Sequence, residues 1–338
     1  MIAALLFALN AATGPTRGPV APVARQAAPA VDSAHGTVIT DTLWSQSLGT
    51  KKAVVVYLPP SYATAPEKRY PVAYYLHGAF GSEVDWTRSG QLNVVMDSLV
   101  AAGGPEMIVV MPDGDDSWYT TWNALVTYDA CKRTAPAREP AETYCVPWEH
   151  YDDYIARDIV QFADRTFRTR ADRAHRAIAG LSMGGYGAMA LAFEYPGVWS
   201  AAASHSGVLA PLYMGPVPFD GHPHWAASVT ELEAWWGSTF WPLLSPAFGR
   251  DTAAWWSRDP GRRLDRLVTK AGKAAVPALF ADCGTDDGLV NENRAFEWEV
   301  RKLGVPLTYH DWPGKHDWTY WRAHVSESLA WIGGLIGR

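Results

Sequence analysis

The sequence predicts an α/β fold: one open, mainly parallel sheet with helices on both faces and a helical, Trp-rich insertion. Two observations carry that expectation. Six short apolar runs, "YPVAYYLHG", "MIVVMPDG", "RAIAGLS", "SAAASHSG", "PALFADCG" and "PLTYHDWPG", each end in Gly, Ser or Asp. Runs of that length closed by turn residues read as strands buried on both faces. Most of the segments between them have helical patterning, and such alternation implies parallel strands with helices above and below. At 338 residues, 48% hydrophobic and 19% charged, the chain has ample material for the core of such a fold.

Residues 1 to 13, within "MIAALLFALNAATG", form an apolar stretch of signal-peptide length, too short to span a bilayer and followed by small residues. A secreted or periplasmic location is therefore expected, although no Lys or Arg precedes Leu5. Residues 14 to 36 are Pro/Ala-rich without apolar periodicity and read as a flexible tether. The folded domain is then expected over residues 37 to 338. It begins with "GTVITDTLWSQSLGTKKAVVVYLPPSY", two extended runs about a Gly-containing turn, an antiparallel hairpin. Helices are expected near residues 90–102, 149–168, 185–194, 291–303 and 319–335. Residues 208 to 274 form a long insertion containing Trp225, Trp235, Trp236, Trp241, Trp255 and Trp256. Overhanging the strand ends, it reads as a lid or substrate wall.

Composition narrows the partners. A net charge of -6 and no run of Lys or Arg argue against a nucleic-acid groove or an anionic membrane surface. Seventeen Trp residues raise the odds of a sugar- or aromatic-binding cleft as a group, while any single one reads first as packing. Of three cysteines, Cys131 and Cys145 flank the polar loop "CKRTAPAREPAETYC", a pairing that suits an oxidising compartment. Cys283, in a strand-like run, reads as a buried free thiol. No metal-ligand spacing appears, so neither metal nor cofactor is expected, and a monomer is the default.

Chemistry concentrates in "AGLSMGGYGAMA", residues 179 to 190, where Ser182 stands in G-x-S-x-G between a strand-like and a helix-like segment. That context is the one a nucleophile elbow needs: glycines permit the sharp turn, and the helix N-terminus favours developing negative charge. A serine hydroxyl needs a base, and the base an orienting carboxylate, in the chain order Ser, Asp, His. Asp286 and Asp287 end the strand-like run at "DCGTDDGLV", and His316, alone of ten histidines, lies in the loop between the last strand and the last helix. The transition state also needs oxyanion donors. The N–H of Met183 supplies one, and Ala79 or Phe80 in "HGAFGS" the other. His77 reads as a structural loop residue. Asp113, Asp115 and Asp116 miss the calcium-loop spacing and read as a solvated turn.

Together "YYLHGAFGSEVDW", "GLSMGGYGA", "CGTDDGLVNENRAF" and "PGKHDWTYW" resemble the putative esterase family of α/β-hydrolases, over roughly residues 36 to 335. That family includes esterase D, secreted feruloyl and acetyl-xylan esterases, small tributyrin esterases and mycolyltransferases. The resemblance implies Asp287 rather than Asp286 as the acid, His316 as the base, and Ala79 and Met183 as oxyanion donors. It also implies an aromatic contact near the cleft, matched by Ser117, Trp118 and Tyr119. The expected activity is hydrolysis of a feruloyl, acetyl or short acyl ester, carried by a small molecule or an oligosaccharide. Acyl transfer to a sugar hydroxyl, formylglutathione hydrolysis and a catalytically idle carbohydrate-binding scaffold are the alternatives.

Overall fold

The computed structural model describes residues 34–121, 128–134 and 140–338. The expected leader and all but the end of the tether lie outside them. The tether's last residues are held: Gly36 donates its N–H to Asp97 at 2.8 Å, and His35 Nδ1 is 3.3 Å from the same carboxylate.

Eight strands make one sheet in the order β1-β2-β4-β3-β5-β6-β7-β8. The hairpin β1 (Thr37–Ser45) and β2 (Thr50–Leu58) is antiparallel, and β2 joins β4 (Ile108–Pro112) antiparallel as well. Every remaining pairing, among β4, β3 (Val72–Leu76), β5 (Arg176–Leu181), β6 (Ala201–His205), β7 (Ala278–Gly284) and β8 (Thr308–Trp312), is parallel. The six apolar runs are thus β3 to β8.

Side chains alternate between two cores. In β2, Val54 and Val56 join one cluster while Val55 and Tyr57 join the other, all buried. One face is covered by α1 (Leu92–Ala101) and α8 (Trp318–Ile336), the other by a helical segment over residues 151–166 (α2) and by α3 (Met183–Glu194). Each fully buried Val, Leu or Ile contributes roughly 1.5–3 kcal/mol. In the centre the buried side chains are small, Ala177, Ala179, Ala201 and Ala203, which lets α8 lie close against β5 and β6.

Between β6 and β7 the expected insertion is helical: α4 (Val229–Phe248), α5 (Thr252–Arg258) and α6 (Pro260–Ala271). Ser228, Asp251 and Asp259 cap them by accepting backbone N–H groups of Glu231, Ala253 and Arg262. Gly237, at φ 62°, breaks α4 into two arms. The last helix before β8 is α7 (Val290–Lys302).

Candidate active site

Ser182 sits between β5 and α3 at φ 52°, ψ -117°, a conformation costly for a residue with a Cβ. Two glycines make the turn possible. A Cβ on Gly180 would lie 2.4 Å from backbone of Gly184, and one on Gly184 would lie 2.4 Å from Leu76 O. The Ser182 N–H donates to His205 O at 2.9 Å, fixing the elbow to β6. Its hydroxyl, 3.0 Å from His316 Nε2, can donate there.

His316 Nδ1 is 2.8 Å from Asp287 Oδ2. With Nδ1–H donated to the carboxylate, Nε2 is left as the acceptor that a general base needs. Asp287 Oδ1 accepts the N–H of Leu289 at 2.9 Å. Burial pushes the Asp287 carboxyl up, but its bond to His316 and that residue's charge outweigh burial and hold it below the usual carboxylate range. Asp286 is exposed and contributes backbone instead: its N–H donates to Gly314 O at 2.9 Å, and that of Thr285 to Trp312 O at 2.8 Å. These bonds extend the β7–β8 pairing into both loops. The loop carrying Asp287 and the loop carrying His316 are thereby tied together, and Asp287 is the carboxylate brought to the imidazole.

Met183 opens α3, so its N–H has no intrahelical acceptor. Across from it, Phe80 N donates to Asp116 Oδ1 at 2.6 Å. That engagement separates the two sequence candidates, because the Phe80 amide is committed while Ala79 lines the cavity beside Ser182.

The acidic turn differs from expectation. Asp113 and Asp115 are buried, not solvated, because Lys52 of β2 is buried against them, its Nζ 2.6 Å from Asp113 Oδ2 and 2.8 Å from Asp115 Oδ1. Burial raises the Asp113 carboxyl, but the Lys52 charge and His77 bring it well below its usual range. Tyr151 OH donates to Asp115 and Tyr144 OH to Asp116. Asp115, Trp118 and Tyr119 all have positive φ, so this network holds a strained loop in place. His77 is structural, as expected: Nε2 accepts from Gly114 N and Nδ1 lies 2.8 Å from Gly78 O.

Ser182, His316 and Asp287 open on a cavity of about 250 Å³. Val208, Trp236, Phe240, Leu243, Leu244 and Leu289 make its apolar wall, and Trp118 adds to it. Hollows of about 770 and 730 Å³ elsewhere do not touch Ser182. The structure does not bring Tyr119 to the cavity: it is buried beneath the loop and donates its hydroxyl to His77 O at 3.0 Å. Of the six tryptophans noted in the insertion, Trp236 alone lines this cavity. Trp241 and Trp255 stack on each other, buried, with centroids 5.5 Å apart. Sequence reasoning missed the aliphatic wall, which has no motif, and Lys52, which reads as an ordinary strand lysine. Cys131 and Cys145 are joined in a disulfide, and Cys283 is a buried free thiol.

A family model described as Putative esterase matches residues 45–332. An esterase of Mycobacterium tuberculosis is 30% identical over 281 residues, covering 80% of this chain and 54% of its own length. The chain therefore spans about half of that relative. An acetyl esterase of Caldicellulosiruptor saccharolyticus is 24% identical over 301 residues, covering 86% of this chain and 95% of the relative. The solved structure of a ferulic acid esterase superposes with a TM-score of 0.63 at 28% identity, covering 89% of this chain and 99% of that one.

Proposed function

Because the chain belongs to the putative esterase family, we propose that it is a serine carboxylesterase in which Ser182, His316 and Asp287 form the catalytic triad. The observation that carries the reading is the unbroken relay from Ser182 Oγ through the His316 ring to a buried Asp287, at 3.0 and 2.8 Å, facing a cavity.

Ser182 Oγ attacks the ester carbonyl carbon as its proton passes to His316 Nε2. The carbonyl oxygen becomes an alkoxide facing the Met183 amide at the α3 N-terminus and the Ala79 amide of the loop after β3. Collapse breaks the bond to the alcohol oxygen, which takes the proton from His316, and leaves an acyl-enzyme. Water then attacks, gives its proton to His316, and the second collapse frees the acid and restores Ser182. Asp287 stays ionised throughout, holding the tautomer and stabilising the imidazolium.

The same reading takes the protein outside the cytoplasm, supported by the Cys131–Cys145 disulfide and the apolar, signal-like residues 1 to 13. The test is hydrolysis of p-nitrophenyl esters with fluorophosphonate labelling of Ser182. Ser182→Ala is expected to lose several orders of magnitude in kcat and all labelling. Wild-type turnover in that variant would end the proposal.

A further inference from the structure

The cavity beside Ser182 has an unusual polar account. Trp118 spends its indole N–H on Leu243 O at 3.0 Å, and Trp236 spends its own on Pro211 O at 3.1 Å. Both carboxylate oxygens of Asp287 are taken, by His316 and by Leu289 N. The rest of the wall is Val208, Phe240, Leu243, Leu244 and Leu289. Beyond the catalytic groups, no side chain among the described residues lining the cavity has a free donor or acceptor to offer a ligand.

Size narrows the ligand as well. At about 250 Å³ the cavity falls below the roughly 300–1,000 Å³ of drug-sized sites, so it suits one chain or one ring and excludes an oligosaccharide. The acyl group remains bonded to Ser182 through both chemical steps, whereas the alcohol must leave after the first. A partly enclosed apolar recess therefore matches the acyl side of the ester, and the alcohol departs past His316, which is about a third exposed.

Resting on the esterase reading above, we infer that this enzyme selects esters whose acyl group is bare hydrocarbon, from butyryl to octanoyl or an unsubstituted phenylalkenoyl, over acetyl and hydroxycinnamoyl groups. An acetyl group leaves most of the wall without contact. A ring hydroxyl entering the cavity gives up its water without gaining a partner, and that loss lowers kcat/KM by roughly tenfold or more. Each added methylene buried against the wall raises it by roughly three- to fourfold until the cavity fills.

Three matched sets of esters test this. Methyl cinnamate and methyl ferulate differ only in ring substituents, and p-nitrophenyl acetate, butyrate and octanoate only in acyl length; methyl and hexyl butyrate vary the alcohol alone. The expected result is cinnamate above ferulate by about tenfold, butyrate and octanoate above acetate by about tenfold or more, and little change along the alcohol pair. Phe240→Ala, a half-exposed position at the cavity wall, is expected to lower octanoate hydrolysis about fivefold more than acetate hydrolysis. Ferulate at or above cinnamate, acetate as the best substrate, chain-length dependence in the alcohol, or an equal loss on both esters in Phe240→Ala overturns the inference. Reversed preferences with Ser182 still labelled by a fluorophosphonate overturn it alone, and no turnover with Ser182 unlabelled takes the esterase reading down with it.

Discussion

Trp118 reaches 125 positions along the chain to donate its indole N–H to the main-chain carbonyl of Leu243, 3.0 Å away. One partner sits on the loop after β4 and the other on the arm of α4 that follows Gly237, so the bond straps the insertion to the sheet. Trp118 also packs edge-on against Tyr186 and Phe248. Trp118→Phe keeps a ring there and removes the N–H, a loss of about 0.5–1.5 kcal/mol. The expected outcome is a Tm lower by a few degrees together with a KM for p-nitrophenyl butyrate raised about threefold, since a loosened arm shapes the cavity less well. A lower Tm with KM unchanged would make the strap a folding contact only.

The neighbouring aspartates give a sharper contrast. Asp287 is buried against His316 while the Asp286 side chain is exposed. Asp287→Asn keeps the shape but favours the wrong imidazole tautomer, and kcat is expected to fall by about a thousandfold to ten-thousandfold. Asp286→Asn leaves the backbone bond to Gly314 intact and is expected to stay within about twofold, as exposed substitutions usually do. Comparable losses in both variants, measured by burst and steady-state kinetics, would contradict the assignment of the acid.

Asp116 acts through Phe80. Its carboxylate holds the Phe80 N–H at 2.6 Å and so sets a residue at φ 62° directly after Ala79. Asp116→Ala frees that amide and lets the loop relax away from its strained geometry. In the proposed mechanism the Ala79 amide is used most in the transition state, so kcat is expected to fall by about tenfold or more with little change in KM. An effect confined to KM would point to substrate contact instead.

Two carboxyls at the foot of the insertion make stability depend on pH. Burial raises Asp259 to about 6. Burial, then the Asp259 charge, raises Glu299 to about 8. In the unfolded chain both titrate near the ordinary values of about 3.9 and 4.3. The native state therefore binds more protons between those values and the raised ones, so stability is fullest at acid pH and falls as pH rises towards about 8. Thermal unfolding from pH 5 to 9 should show Tm declining, and Glu299→Gln should flatten the upper part of that decline. A Tm that rises across this window would refute the account.

Strands β3 to β8 were legible because each is a short, mainly apolar run closed by a turn residue, and His316 because no other histidine lies between β8 and α8. The residues alone left Ala79 and Phe80 open and only the family resemblance favoured Ala79, because the contact that occupies the Phe80 amide comes from Asp116, 36 positions away. Asp113 and Asp115 read locally as a wet turn because nothing near them in sequence announces Lys52, which arrives from β2 and neutralises them. The tryptophans read first as packing taken one at a time, and Trp241 and Trp255 are buried as that reading expects, while Trp236 lines the cavity. Which ring faces the cavity was not legible, because Gly237 breaks the helical phase of α4 between Trp236, which lines it, and Trp241, which stacks on Trp255.

The disulfide bears on activity as well as stability. Cys131 and Cys145 are 14 positions apart, and closing a loop of that size removes unfolded-state entropy equivalent to about 3 kcal/mol. Cys145 also follows Thr143 and Tyr144, whose carbonyl and hydroxyl hold Lys52 and Asp116. A cysteine-free variant at both positions loses stability and slackens the support of the Asp116–Phe80 contact together. The expected outcome is a Tm lower by several degrees and, at a temperature where the variant is still folded, a kcat lowered about two- to threefold, in the direction of Asp116→Ala and smaller than it. A lowered Tm with unchanged kcat would confine the disulfide to stability, and additive losses in the combined Cys131→Ser, Cys145→Ser and Asp116→Ala variant would show that the two act on different parts of the site.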